Sequence, residues 1–192
     1  MIVLASRSAS RAAMLAAAGV AFEARPAPID ERALEAAMDG AAPGQVALAL
    51  AEAKALAAGD PAVPVLGSDS LVVVDGARFD KPADRDRAAE HLRAFSGRTM
   101  ELHSAAAIAR GGTIAWRHAA VARLQVRRLS QRFIESYLDA EWPAVSHCVG
   151  AFRIEGPGVQ LFEAIEGDHF TVLGMPLLPV LGALRDMDVL PA

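Results

Sequence analysis

The chain has 192 residues, 53% hydrophobic and 22% charged, which fits one globular domain that buries about 70% of its unfolded surface. That apolar content excludes a disordered chain, and the lack of an unbroken apolar run of about 18 residues excludes a membrane-spanning helix. A net charge of −4 with scattered basic residues excludes the footprint of a long nucleic acid, although a few well-placed cations can still hold a small anion.

Residues 1–6 read as a buried first strand. No basic segment precedes that apolar stretch and no cleavage-like site follows it, so an export signal is not expected and the cytoplasm is the expected compartment. Ser8 to Gly19 reads as a helix with Met14 and Leu15 on its inner face. A short strand from Val20 to Arg25 leads through Pro26 and Pro28 to the acidic pair Asp30-Glu31, which suits a loop or a helix start. From Gly44 to Ala58, Val46, Leu48, Leu50, Ala53 and Leu56 recur at helical spacing with Lys54 among them, and Gly59-Asp60-Pro61 is the expected stop. Val63 to Val74 is an apolar run interrupted by Gly67-Ser68-Asp69-Ser70 that reads as an interior strand carrying a carboxylate, and Asp75-Gly76 turns the chain.

Lys81-Pro82 falls in the entry loop of a helix over Arg85 to Phe95, with Asp84 as N-cap and Gly97 as stop. Met100 to Ala109 and Thr113 to Val126 form a hairpin through Gly111-Gly112. Ser130 caps a helix to Leu138. Strands are expected over Cys148 to Ile154 and Val159 to Ile165, around the turn Glu155-Gly156-Pro157-Gly158, and a last helix over Pro176 to Met187. With no repeat or linker, the order predicts a single mixed α/β domain over residues 1–192.

Four features carry chemistry. The hydroxyl-rich turn from Ser6 through Ser8 to Arg11 joins a strand to a helix N-terminus, where free N–H groups, hydroxyls and a guanidinium suit a phosphate. Helix capping by Ser8 or Ser10 explains the same serines. Asp69 lies in so apolar a run that it must meet a partner, a metal or water. Of 19 basic residues, 17 are arginine, and the two lysines, Lys54 and Lys81, mark places that want a compact ammonium rather than a planar fork. Pro82 fixes the backbone at Lys81, whose ammonium is expected over the same cleft as Asp69.

Other residues read more plainly. Asp75-Gly76 resembles the nucleophile turn of haloacid-dehalogenase-type phosphatases, but Ala77 stands where a second aspartate is wanted. The single cysteine, Cys148, excludes an internal disulfide and is expected as a buried core thiol. His91, His103, His118, His147 and His169 lack metal-ligand spacing, and Tyr137, Trp116 and Trp142 read as packing groups. Phe152 and Phe170 are candidates for stacking on a base.

In series, these fragments resemble the Maf family of nucleoside triphosphate pyrophosphatases over nearly the whole chain. Leu4-Ala5-Ser6, Ser8 and Arg11 match its L-A-S-x-S-x-x-R opening, and Leu50-Ala51 with Lys54-Ala55 matches its L-A-x-x-K-A helix. Gly67-Ser68-Asp69, Lys81-Pro82, Ser96-Gly97-Arg98 and Gly167-Asp168 with Gly174 complete the pattern. The chain departs from it at Met100, Val149, Ser70, Thr171 and Met175. Cys148 to Gly156 looks like the branch acting on 7-methyl-GTP, with Glu155 where the dTTP and UTP branch carries glutamine.

The resemblance implies a Maf/ITPase-like fold of two lobes around a central cleft, and cleavage between the α- and β-phosphates. It also implies Mg²⁺ or Mn²⁺ on Asp69 and Glu31, with Asp69 as base, ligand or both. Ser6, Ser8, Arg11, Lys54 and Lys81 would hold the phosphates, and Glu155 would read the base. The expected partners are a nucleoside triphosphate and, in a homodimer, a second copy of the chain. A dTTP/UTP pyrophosphatase and a nucleotide-sensing regulator of division are the alternatives.

Overall fold

In the computed structural model, which describes residues 1–58 and 62–191, β1 (Ile2–Leu4) enters α1 (Ala9–Ala17) through the hydroxyl-rich turn. Ser8 caps that helix by accepting the Arg11 N–H. β2 (Phe22–Ala24) runs parallel to β1. Asp30 caps α2 (Glu31–Ala37), and α3 (Pro43–Ala57) follows. The expected stop at Gly59-Asp60-Pro61 lies outside the described residues.

β3 (Val65–Val74) runs unbroken through residues 67–70, the interior strand carrying a carboxylate that the sequence predicts. Its polar members stay in the ladder because each side chain finds a partner from distant sequence. Asp75 and Gly76, both at positive φ, turn the chain into β4 (Ala77–Phe79), antiparallel to β3. Next come α4 (Arg85–Phe95) capped by Asp84, β5 (Thr99–Arg110), β6 (Thr113–Val126) and α5 (Gln131–Glu141) capped by Ser130. The chain closes with β7 (Phe162–Glu166), α6 (His169–Val172) and α7 (Leu177–Asp186).

The strands form one mixed sheet in the order β2-β1-β3-β5-β6-β7, with β4 on β3. This is the α/β class expected from sequence. The chain divides into two compact units. The first comprises Met1–Ser70, His103–Ala120 and Asp168–Ala192, and its core packs Leu4, Leu15, Leu66, Ile108, Val180 and Leu184. The second comprises Leu71–Leu102 and Val121–Gly167. There α4 packs on α5, and Arg85 ties them by ion pairs to Glu135 and Asp139.

Cys148 to Ile154 is not a strand. It is a run of bends and turns with Gly150 at φ 83° and Ala151 at φ 53°, a left-handed backbone that no strand accommodates. Residues 157–161 form a 3-10 turn, so the strand expected from Val159 begins at Phe162.

Candidate functional site

In the first unit the site begins with a close approach of backbones. A Cβ on Gly67 would lie 2.1 Å from the Ala51 carbonyl oxygen and 2.6 Å from the Ala55 nitrogen, so α3 rests directly on β3 at this glycine. Asp69, two residues on, shares the strand face of Gly67. Lys54 lies between Ala51 and Ala55 on the helix, and its Nζ stands 2.5 Å from Asp69 Oδ1 and 3.0 Å from Glu31 Oε1. Lys54 and Asp69 are each only 8% exposed, whereas Glu31 opens to solvent from the first turn of α2. Two buried charges persist here because they neutralise one another.

Beside this trio lies a hydroxyl cluster. The Ser8 N–H donates to Ser6 Oγ at 3.1 Å, and Arg11 Nη1 donates to the same oxygen at 3.3 Å. Arg11 Nη2 reaches Ser70 Oγ at 3.1 Å, and Nε reaches the Gly174 carbonyl at 3.0 Å. Burial lowers the pKa of the Arg11 guanidinium, while the carboxylates of Asp69 and Glu31 pull it back up. Ser70 also donates to the Gly174 carbonyl at 2.8 Å and shares a bond with Ser104, which donates to the Thr171 carbonyl.

Gly174 adopts φ 101°, and a Cβ there would stand 3.2 Å from Ser70 Oγ, so glycine suits both the turn and its neighbours. Asp168 fixes the preceding turn by accepting from the N–H and hydroxyl of Thr171.

The second unit carries the other two expected residues. Lys81 is exposed on the loop after β4, followed by the buried Pro82. Glu155 is exposed on the turn after Ile154. Cys148 is half-buried, a correction to the expected core thiol: its loop leaves the sheet and keeps the sulfur near the surface. Burial and then Glu155 push its thiol pKa up, and Arg153 and Lys81 push it down, so all three charges lie within electrostatic reach of Cys148. Phe152 is buried edge-on against Phe162 at 4.9 Å between ring centres. His91 is buried between Phe79 and Phe95, and burial followed by Arg87 lowers its pKa.

The structure therefore brings together Ser6, Ser8, Arg11, Glu31, Lys54 and Asp69 within the first unit, while Lys81 and Glu155 belong to the second. Sequence reasoning missed Ser70, Ser104 and the Gly174 carbonyl as supports of Arg11. Hydroxyl residues inside apolar strands were the available signal. Among the described residues no group of three or more His, Cys, Asp and Glu converges to hold a metal by itself. Asp69 and Glu31 do converge on a single cation, the Lys54 ammonium. Two carboxylates completed by phosphate oxygens and water are a set that suits a hard divalent ion.

The chain matches the family described as Maf-like protein over residues 1–187. It belongs to the Maf family. It is 47% identical over 196 residues to the 7-methyl-GTP pyrophosphatase of Rhizobium meliloti, covering 100% of this chain and 98% of that protein. A nucleoside triphosphate pyrophosphatase of Rhodopseudomonas palustris is 47% identical over 191 residues, covering 98% and 95% of the two chains. The 7-methyl-GTP pyrophosphatase of Mesorhizobium japonicum is 47% identical over 193 residues, covering 98% and 97%. Among solved structures, a HAM1 protein from Coxiella burnetii aligns with 68% of this Maf chain and 74% of its own at 18% identity and a TM-score of 0.42.

Proposed function

We propose that this Maf protein hydrolyses nucleoside triphosphates to the monophosphate and pyrophosphate, with 7-methyl-GTP as its preferred substrate. The observation that carries the reading is the buried Lys54 ammonium held by Asp69 and Glu31 beside the Arg11 and serine cluster. A triphosphate needs cations to offset its charge and a carboxylate to take a proton from water, and both stand here on rigid elements.

In the reaction, the oxygen of an attacking water bonds to the α-phosphorus. The bond from that phosphorus to the bridging oxygen breaks, and pyrophosphate leaves with the electron pair. Asp69 takes the water proton. Lys54 holds the Asp69 carboxylate in place, and the N-terminus of α1 with Ser6, Ser8 and Arg11 receives phosphate oxygens. Lys81 offsets charge on the leaving pyrophosphate. Asp69 and Glu31 would hold a divalent ion, Mg²⁺ or Mn²⁺, which would add neutralisation and Lewis-acid polarisation of the phosphate.

Glu155 accepts hydrogen bonds from the N–H edge of a guanine-like base, and its charge favours a base made cationic by methylation. The names of the Rhizobium and Mesorhizobium relatives support the same preference. A nucleotide panel in Mg²⁺ and in Mn²⁺, read for pyrophosphate and orthophosphate, tests the reading. Pyrophosphate should form fastest from 7-methyl-GTP. Orthophosphate alone would contradict the bond assignment, faster dTTP or UTP turnover would reassign the base, and tight binding without product would favour a nucleotide sensor.

A further inference from the structure

The loop that carries Glu155 is tied to one face of α5 by two buried side chains that the mechanism does not use. Tyr137 and Glu141 are four residues apart on that helix and so lie on the same side of it. The Tyr137 hydroxyl donates to the Ala151 carbonyl at 3.1 Å, and Ala151 is a buried residue held in the left-handed region. Glu141, 4% exposed, accepts from Arg153 Nε at 2.9 Å and from Nη2 at 3.1 Å.

Arg153 in turn organises the turn that follows it. A Cβ on Gly158 would lie 2.4 Å from the Arg153 carbonyl oxygen and 2.8 Å from its nitrogen, and one on Gly156 would lie 3.7 Å from Glu141 Oε2. Glu155 therefore projects from a backbone held just before it at Arg153, which Glu141 grips, and just after it at Gly156, whose N–H donates to the Arg153 carbonyl at 3.2 Å, with Gly158 packed on Arg153. Only Glu141 of this pair is buried, the Arg153 side chain being 39% exposed, and the cost of burying the carboxylate offsets much of the attraction, so the pair adds little stability. What this pair supplies is a fixed position and direction for the segment between its contacts.

We propose that Tyr137 and Glu141 are positioning residues for base selection, acting through the Ala151 and Arg153 backbone to aim Glu155. The proposal rests on the reading that Glu155 recognises the base. Its test is the ratio of kcat/KM for 7-methyl-GTP to that for UTP in Glu141→Gln, Tyr137→Phe and Glu155→Gln, measured well below each variant's Tm. Glu141→Gln keeps the side-chain volume, and Tyr137→Phe keeps the ring, so the second decides if the first does not fold.

Glu141→Gln is expected to lower the ratio roughly tenfold by raising KM for 7-methyl-GTP, with kcat on UTP within about twofold of wild type. Added to Glu155→Gln, it should lower the ratio no further, because both act on one contact. The single thiol, Cys148, reports the loop in the variant that changes no charge, and its alkylation should quicken in Tyr137→Phe. A merely structural pair would lower Tm and leave the ratio untouched. An unchanged ratio in both α5 variants, with Glu155→Gln altering it, overturns the clamp alone. An unchanged ratio in Glu155→Gln overturns the base reading and the clamp with it.

Discussion

Asp69 in the first unit and Glu155 in the second are both carboxylates that the sequence singles out, yet their settings are opposite. Asp69 is 8% exposed, 2.5 Å from an ammonium, and carried on a strand whose backbone touches a helix. Glu155 stands exposed on a turn, and its surroundings are aimed by side chains rather than by sheet and helix. The difference separates two tasks. A proton transfer needs one geometry and a dry, charged surrounding, so its group is built into the core. Choice among bases needs only a modest free-energy difference, which an exposed group on a loop clamped by side chains can supply.

Breaking the buried half should have the largest effect. Lys54→Ala and Asp69→Asn are expected to lower turnover by roughly 10²-fold or more, about 2.7 kcal/mol in the barrier, with the far-UV circular dichroism retained. Lys81→Ala should lose a similar factor without loss of stability, since its side chain is exposed. Turnover near wild type in any of the three removes that residue from the mechanism.

Gly67→Ala tests the scaffold beneath the pair. The added methyl cannot sit 2.1 Å from the Ala51 oxygen, so α3 must move away. The expected result is a loss of about 1–3 kcal/mol in stability together with lower turnover from a displaced Lys54. Unchanged Tm and turnover would show that the close approach is not needed.

The smallest effect belongs to the second unit. His91 Nδ1 is buried without a hydrogen-bond partner among the described residues, and its folded pKa is depressed by burial and then by Arg87, against Glu90 and Asp80. The folded state therefore favours neutral imidazole. Its contribution is present above the unfolded value of about 6.5 and is lost as pH falls through the depressed folded value. Between pH 7 and pH 5, wild type should lose more stability than His91→Leu in urea titrations. Parallel losses would contradict this assignment.

Much of the fold was legible because its determinants are local. Ser8, Asp84 and Ser130 announce helix starts, and each accepts the N–H three residues on. Lys54 and Asp69 stood out as rare charges in apolar runs, and the structure pairs them. The support of Arg11 was not legible, since its bond to the Gly174 carbonyl joins residues 163 apart. Nor were the partners of Ser68 and Ser70 within β3 legible, because they are the distant Ala105 and Gly174 carbonyls. The apolar spelling of residues 148–154 suggests a strand, but the left-handed pair Gly150-Ala151 and the grip of α5 make it a loop. β4, at three residues, is too short to produce an alternation of its own.

Hydrolysis of 7-methyl-GTP by the wild-type protein in water enriched in ¹⁸O tests the central claim most directly. Attack at the α-phosphorus predicts one heavy oxygen in the nucleoside monophosphate and none in the pyrophosphate. Label in the pyrophosphate, or orthophosphate as the sole inorganic product, would contradict the mechanism.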